Sequence, residues 1–308
     1  MNKKSKILSL LFTMCLATML FIGCSEKTVT MTDREGTEFT APKQINTIIS
    51  TAPSNTEVLV GLGLSDKLVA IDKYSVDVEG VNSELPKIDF RNPDAETLIA
   101  LNPDIIIASG HNKAGDNDPF ELIKEAGITV VYIPSSYSIE GIYEDIEFIA
   151  SLTGTEKQGK EMIENMQKEV AEIKAIGDTV TDKKKVYFEI GAGSKLFSFG
   201  SDTFLNEMIE TIGAENIFKD EKSWISASAE SIIDANPDVI LVNTPGTNEA
   251  GKTAVEDVIS RDGWDSINAV KEGKVFTVDK NASSRSSQNI IKALKEMASY
   301  VYPELYNN

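Results

Sequence analysis

The sequence predicts an α/β protein of two lobes, each built on a mainly parallel sheet, joined by a single long helix. Three observations predict it. Residues 95–109 (AETLIALNPDIIIAS) and 229–243 (AESIIDANPDVILVN) are identical at seven of fifteen positions, at an offset of 134, and Phe90 and Trp224 extend that register upstream. One α/β unit is therefore present twice. Short β-branched runs alternate with amphipathic segments on both sides of the repeat, which is the pattern of parallel strands covered by helices. Between the two copies, Thr155–Ile176 carries Met162, Ile163, Met166, Val170, Ile173 and Ile176 at helical spacing, with Lys and Glu on the other faces.

The N-terminus stands apart. Lys3, Lys4 and Lys6 precede Ile7–Ile22, an uncharged run of sixteen residues that ends at Gly23-Cys24. A basic start followed by such a run is a signal-peptide pattern, and the run is shorter than the roughly 20 residues a membrane span needs. Residues 1–23 are read as a leader and 24–46 as a tether and hairpin. Cys15 leaves with the leader, so Cys24 is the only cysteine of the mature chain and no disulfide is expected. Removing the leader leaves 27 basic and 48 acidic residues, a net charge of −21. Such a surface repels nucleic acid and anionic headgroups, so no nucleic-acid partner is expected.

Val29–Thr40 alternates around Asp33-Arg34-Glu35-Gly36 and reads as a small hairpin. Thr47–Ser50 is the first strand of the N-terminal lobe (47–154). Ser54-Asn55-Thr56-Glu57 opens a helix that Gly61 and Gly63 close, and Lys67–Ile71 is the next strand. Pro93-Asp94 starts the first repeat helix, Asn102-Pro103 ends it, and Asp104–Ala108 is its strand. A loop, a helix to Gly127, the strand Ile128–Ile133 and a helix from Ser138 to about Leu152 complete this lobe. The linking helix occupies 155–177. The C-terminal lobe (178–308) repeats the plan: strands at Val186–Ile190, Asp238–Val242 and Val275–Val278, and helices at Thr203–Ile212, Glu230–Ala235, Thr253–Ser260 and Ser286–Tyr302. Glu57 and Glu207 occupy equivalent places before Gly63 and Gly213, at an offset of 150.

Catalytic groups are poorly supplied. His111 is the only histidine, so no multi-histidine metal site can be built. A Ser-His-Asp arrangement would have to use it, and no Gly-x-Ser-x-Gly elbow accompanies it. Gly191-Ala192-Gly193-Ser194-Lys195 lacks the spacing of either glycine-rich phosphate motif and reads as a turn at the end of a strand. No catalytic residue, resident metal or cofactor is expected. Binding residues are better supplied. Tyr74, Phe90, Phe197, Phe199 and Trp224 fall in segments read as loops at strand ends, where open α/β sheets place ligands. Such aromatics suit a bulky, partly apolar ligand. Arginine is scarce, and Arg91, beside Phe90, and Arg285, after the last strand, both fall at the cleft edge in this layout. With Lys73 they suit an anionic or carbonyl-rich ligand. Glu96 and Glu230 take the same first-turn position on the two repeat helices, where a carboxylate favours the helix dipole. Their equivalence suggests contact with basic groups on a two-fold partner.

These motifs resemble a known class. S-N-T-E at 54–57, the aromatic–x-x-P-D pattern from Phe90, the two x-E-x-[LI]-x-x-x-N-P-D units and G-A-E-N-I-F at 213–218 stand in the order seen in iron-siderophore/cobalamin (class III) ABC-importer substrate-binding proteins. The resemblance covers about Gln44 to Tyr306. It implies two Rossmann-like lobes bridged by a rigid helix, a monomer that closes little and holds its ligand between the lobes, and Glu96 and Glu230 docking to a dimeric permease served by a cytoplasmic ATPase. Leu20-Phe21-Ile22-Gly23-Cys24 resembles a lipobox with Phe21 in place of the usual Leu. That implies acylation of Cys24 and anchoring on the extracytoplasmic face of the membrane. Within the class, Tyr74, Phe90, Arg91, Phe197, Trp224 and Arg285 are the expected ligand contacts. Arg91 with Arg285 favours a ferric siderophore, the aromatics favour a corrinoid, and haem is the third choice.

Overall fold

The computed structural model describes residues 29–307 except 114–116, 135, 194, 245 and 249. The segment read as a leader, and Cys24, lie outside the described residues. Strands β1 (Thr30–Thr32) and β2 (Glu38–Thr40) form the expected antiparallel hairpin. Asp33 closes its turn by accepting from the amides of Glu35 and Thr37 at 3.0 and 2.8 Å. The other oxygen of Asp33 accepts from Tyr132 N at 3.1 Å and ties the hairpin to the lobe.

The N-terminal lobe runs β3 (Ile48–Ser50), α1 (Pro53–Gly61), β4 (Leu68–Asp72), β5 (Lys87–Ile88), α2 (Ala95–Ala100), β6 (Ile105–Ser109), α3 (Glu121–Glu125), β7 (Thr129–Ile133) and α4 (Ile139–Thr153). Its strands form one parallel sheet, ordered β5-β4-β3-β6-β7. The linking helix α5 spans Glu156–Gly177. Lys–Glu pairs four residues apart line its wet face at 3.7–3.9 Å, each worth a few tenths of a kcal/mol. Gly159 lets α5 lie against α4, where a Cβ would come within 2.4 Å of Ala150 Cβ.

The C-terminal lobe contains β8 (Lys185–Glu189), β9 (Gly191–Ala192), β10 (Leu196–Phe199), α6 (Phe204–Thr211), β11 (Glu215–Asn216), β12 (Trp224–Ala227), α7 (Ala229–Ala235), β13 (Val239–Val242), α8 (Ala254–Ile259), α9 (Asn268–Lys271), β14 (Val275–Thr277), α10 (Lys280–Ser284), α11 (Ile290–Val301) and α12 (Pro303–Tyr306). Its parallel sheet is ordered β11-β8-β13-β14. Two features depart from the sequence reading. Residues read as loops around Phe197, Phe199 and Trp224 form a separate antiparallel sheet, β12-β10-β9. The helix read over Ser286–Tyr302 starts only at Ile290 as α11, and a separate short helix, α10, precedes it with Arg285 as its C-cap.

The repeat has a structural cause. Asn102 and Asn236 end α2 and α7 with left-handed backbones, φ 47° and 48°, which Asn tolerates better than most residues. Each Pro-Asp that follows starts the next strand and joins it to its neighbour. Asp104 Oδ2 accepts from Asn46 N and Thr47 N at 2.7 and 2.9 Å, and Asp238 Oδ2 accepts from Lys185 N at 2.8 Å. The same joint is made in both lobes, so the same residues recur.

One apolar core runs continuously from β3, α1 and α4 through Met166 and Ile173 of α5 to β8, α6 and α11. Separate clusters fill the outer faces of the two sheets. Gly177 of α5 lies so close to the end of α6 that a Cβ there would come within 2.2 Å of Thr211 O. The lobes thus share packed interior, in which even one added methylene is costly.

Candidate functional site

Between the lobes lies a cavity of about 570 Å³. The N-terminal lobe lines it from the carboxyl ends of all five strands: Thr51 and Ala52 after β3, Asp72 to Tyr74 after β4, Phe90 and Arg91 after β5, His111 and Asn112 after β6, and Tyr137 beyond β7. This is where open α/β sheets present groups to ligands. The C-terminal lobe contributes Phe204, Trp224 and residues from 280 to 286. The carboxyl end of its β8 is plugged. Glu189 is buried there and grips Arg261 through two bonds of 2.7 and 2.9 Å, while Tyr187 donates to it at 3.1 Å. Arg261 also lies 4.6 Å over the Trp264 ring. The second lobe therefore supplies a wall, and the first supplies most of the polar groups.

Of the expected ligand contacts, Tyr74, Phe90, Arg91, Trp224 and Arg285 line this cavity, and Phe197 does not. Phe197 pairs with Ser226 within the antiparallel sheet and is 46% exposed. Phe199 is fully buried and packs edge-on beneath Trp224 at 6.2 Å. Trp224 is 45% exposed and Tyr74 is 57% exposed, so both offer ring surface. Tyr74 and Phe90 lie 6.3 Å apart. Among the described residues, none between β9 and β10 lines the cavity.

The arginines differ from expectation and from each other. Arg285 lines the cavity, but its guanidinium is neutralised: Nη1 meets Glu57 Oε1 at 2.8 Å, and Nη2 meets Asp77 Oδ1 at 2.7 Å and Tyr74 O at 3.1 Å. Arg91 stands 5.3 Å from the Phe90 centroid and has no ion-pair partner among the described residues. Lys73 is paired with Asp89 at 2.9 Å. Lys280, which the sequence reading missed, lines the cavity from the other lobe, exposed and without an ion-pair partner among the described residues. Its only sequence signal was its place just beyond the last strand. Arg91 also bears on His111: burial, then the arginine's charge, holds the imidazole below its ordinary range and therefore neutral at pH 7.

Asp72 is the second group that was missed. It is fully buried at the cavity wall, with one oxygen accepting from Tyr74 N and Oδ2 without a partner among the described residues. Burial pushes its carboxyl up to about 6 from 3.8, against the pull of the Tyr74 amide and Arg285. The folded protein thus keeps this proton to about pH 6, while the unfolded chain releases it near 3.8. The stability tied to it is complete below the lower value and is lost as pH rises through the upper one. Asp72→Asn keeps the acceptor for Tyr74 N. It should raise stability at pH 7.5 by on the order of 1–2 kcal/mol, with the gain gone below pH 4, as read by thermal melts across pH.

Glu96 and Glu230 are both exposed in the first turns of α2 and α7, and neither has an ion-pair partner among the described residues. Asp94 and Ser228 cap those turns by accepting from Thr97 N at 3.4 Å and Ser231 N at 3.0 Å. The caps already satisfy helix amides, so neither glutamate carboxylate is needed for capping.

Residues 48–282 match the periplasmic binding protein family. The uncharacterised ABC transporter substrate-binding lipoprotein YvrC of Bacillus subtilis is 32% identical over 283 residues, covering 90% of this chain and 87% of that one. A cobalamin-binding protein of Halobacterium salinarum is 25% identical over 277 residues, covering 88% of this chain and 73% of the other. The crystal structure of a possible iron-binding, periplasmic solute-binding protein from Staphylococcus epidermidis superposes with a TM-score of 0.73 at 33% identity, over 84% of this chain and all of that one. The two lobes with parallel sheets, the cavity between them and these relatives agree: the chain belongs to the periplasmic binding protein family and is a substrate-binding protein of an ABC transporter.

Proposed function

We propose that this protein captures a ferric siderophore between its lobes outside the cell and delivers it to a dimeric permease driven by a cytoplasmic ATPase. It acts as a monomeric binder with no chemistry of its own, held at the membrane by an acylated Cys24. The observation that carries the siderophore reading is the pair of cations Arg91 and Lys280. They line the cavity from opposite lobes and have no ion-pair partner among the described residues, in a chain whose net charge is −18. Unpaired cations in such a cavity suit the anionic oxygens around a chelated ferric ion. Tyr74, Phe90 and Trp224 supply apolar surface for the ligand's organic frame.

A second reading, a corrinoid, is favoured by the cobalamin-binding relative and by the same aromatics. Titration of tryptophan fluorescence separates the two, because Trp224 lines the cavity whereas Trp264 is buried away from it. Ferric desferrioxamine or a ferric catecholate should quench the signal saturably at micromolar concentration or below. Tight binding of cyanocobalamin or haem, with none of the ferric siderophores, overturns the siderophore reading and leaves the transporter assignment intact.

Anchoring is tested separately. Cys24→Ser should move the protein from the membrane fraction to the medium or leave it unprocessed, as read by cell fractionation and blotting. Unchanged membrane association would remove the lipid anchor. Among the described residues no helix is long and apolar enough to cross a membrane.

A further inference from the structure

Glu57 and Glu207 stand at the same place in the two lobes, 150 residues apart, and each reaches across to the other lobe. Glu57, on α1, is buried. It holds Arg285 at 2.8 Å and accepts from Ser287 Oγ, just before the start of α11. Its carbonyl accepts from Gln288 Nε2 at 2.8 Å. Glu207, on α6, accepts from Ile139 N at 2.7 Å, the first amide of α4. Helices α4 and α11 are the last long helices of their lobes and begin 151 residues apart. The two contacts correspond in place and differ in chemistry: Glu207 sets its carboxylate on the first amide of α4, whereas Glu57 meets the guanidinium of Arg285 and the hydroxyl of Ser287 in the segment leading into α11. At Glu207 the carboxylate is favoured by the helix dipole and the free first-turn amides of α4.

Their places on the cleft matter. Arg285, Asp77 and Tyr74, which share the first contact, line the cavity on the β4 side. Pro134, Ser136 and Tyr137, which lead into Ile139, line it on the β7 side, with Phe204 from α6. In the sheet order β5-β4-β3-β6-β7 these are opposite sides. Gln288 and Met162 fill the space beside Gly61, where a Cβ would come within 2.9 Å of Gln288 Nε2 and 2.6 Å of Met162 Cε.

We infer that Glu57 and Glu207 are matched struts that pin the two sides of the cleft and set its opening, so that the lobes are held by this pair and not by the linking helix alone. Both are positioning residues: they act on the ligand through the walls they fix. The duplication explains why Glu207 keeps a costly half-buried carboxylate beside Glu210 and Glu140.

The test is hydrogen–deuterium exchange with small-angle scattering on the full chain in detergent, comparing Glu207→Ala, Glu57→Gln and the double variant. Glu207→Ala should speed exchange at the start of α4 ten- to a hundredfold, the loss of one charge-assisted bond, and leave 284–290 unchanged. Glu57→Gln should loosen 284–290 and leave α4 unchanged. The double variant should loosen both ends and raise the radius of gyration, while the amides of α5 stay protected. Val130→Ala, a general destabilisation of the core, should loosen the chain throughout without singling out the start of α4 or 284–290. Two outcomes overturn the inference: a double variant with unchanged exchange at both ends, or loosening spread over the whole chain as in the Val130→Ala control. Should Glu57→Gln fail to fold, Glu207→Ala decides on the same criterion at the start of α4.

Discussion

Arg91→Ala is expected to weaken binding of ferric desferrioxamine, or of the ferric catecholate if that binds better, by about ten- to a hundredfold. That is the loss of one charged hydrogen-bonding group, about 1.5–3 kcal/mol. Phe90→Leu should cost less, because a leucine still covers part of the ligand's apolar frame. The structure sharpens the comparison by separating the arginines. Arg285 already has Glu57 and Asp77 as partners, so little of its charge is left for a ligand, and its removal leaves the buried Glu57 carboxylate uncompensated. Arg285→Ala should therefore lower the melting temperature, whereas Arg91→Ala, exposed and without an ion pair among the described residues, should leave it unchanged. Fluorescence titration and thermal melts on the same samples read both effects. If Phe90→Leu weakens binding more than Arg91→Ala does, and cyanocobalamin binds tightly to the unaltered protein, the siderophore reading falls.

Much of the architecture was legible in the sequence because local chemistry dictated it. The Asn-Pro-Asp joint had to recur wherever the same helix met the same strand, and its recurrence exposed the two lobes. The linking helix declared itself by period, with Met166 and Ile173 on the buried side. What stayed hidden depended on partners distant in sequence. Nothing near Arg285 announces Glu57 or Asp77, which lie 228 and 208 residues away, so a lone arginine beyond a strand read as a ligand contact. The β9–β10–β12 sheet escaped notice because its strands have two to four residues, too few for alternation to register, and the adjoining glycines read as a turn. Phe197 was misplaced with it. Asp72 ends an apolar strand and looks like an ordinary strand terminus. Only its burial with an unpartnered oxygen marks it out. Lys280 is one lysine among many until the cavity is seen.

Glu96→Ala combined with Glu230→Ala should abolish uptake while leaving ligand affinity intact. The two carboxylates lie on repeat-equivalent helices, exposed and outside the cavity lining, so neither bears on the ligand. Losing one charge-assisted contact at each lobe would cost about 1.5–3 kcal/mol per site, which together weakens docking by on the order of a hundred- to ten-thousandfold. A two-fold permease makes a further demand: the single variants should lose comparable amounts, because each lobe meets an equivalent basic pocket. An asymmetric partner would tolerate one loss and not the other. Glu164→Ala with Glu172→Ala, on the wet face of α5, removes the same charge at a different place and should leave uptake unchanged. That control separates a specific contact from the general effect of a less acidic surface. Uptake of radiolabelled ferric ligand, run beside the fluorescence titration, reads both halves. Normal uptake by the Glu96/Glu230 double variant would remove the docking role from these residues, and equal losses in both pairs would reduce it to bulk electrostatics.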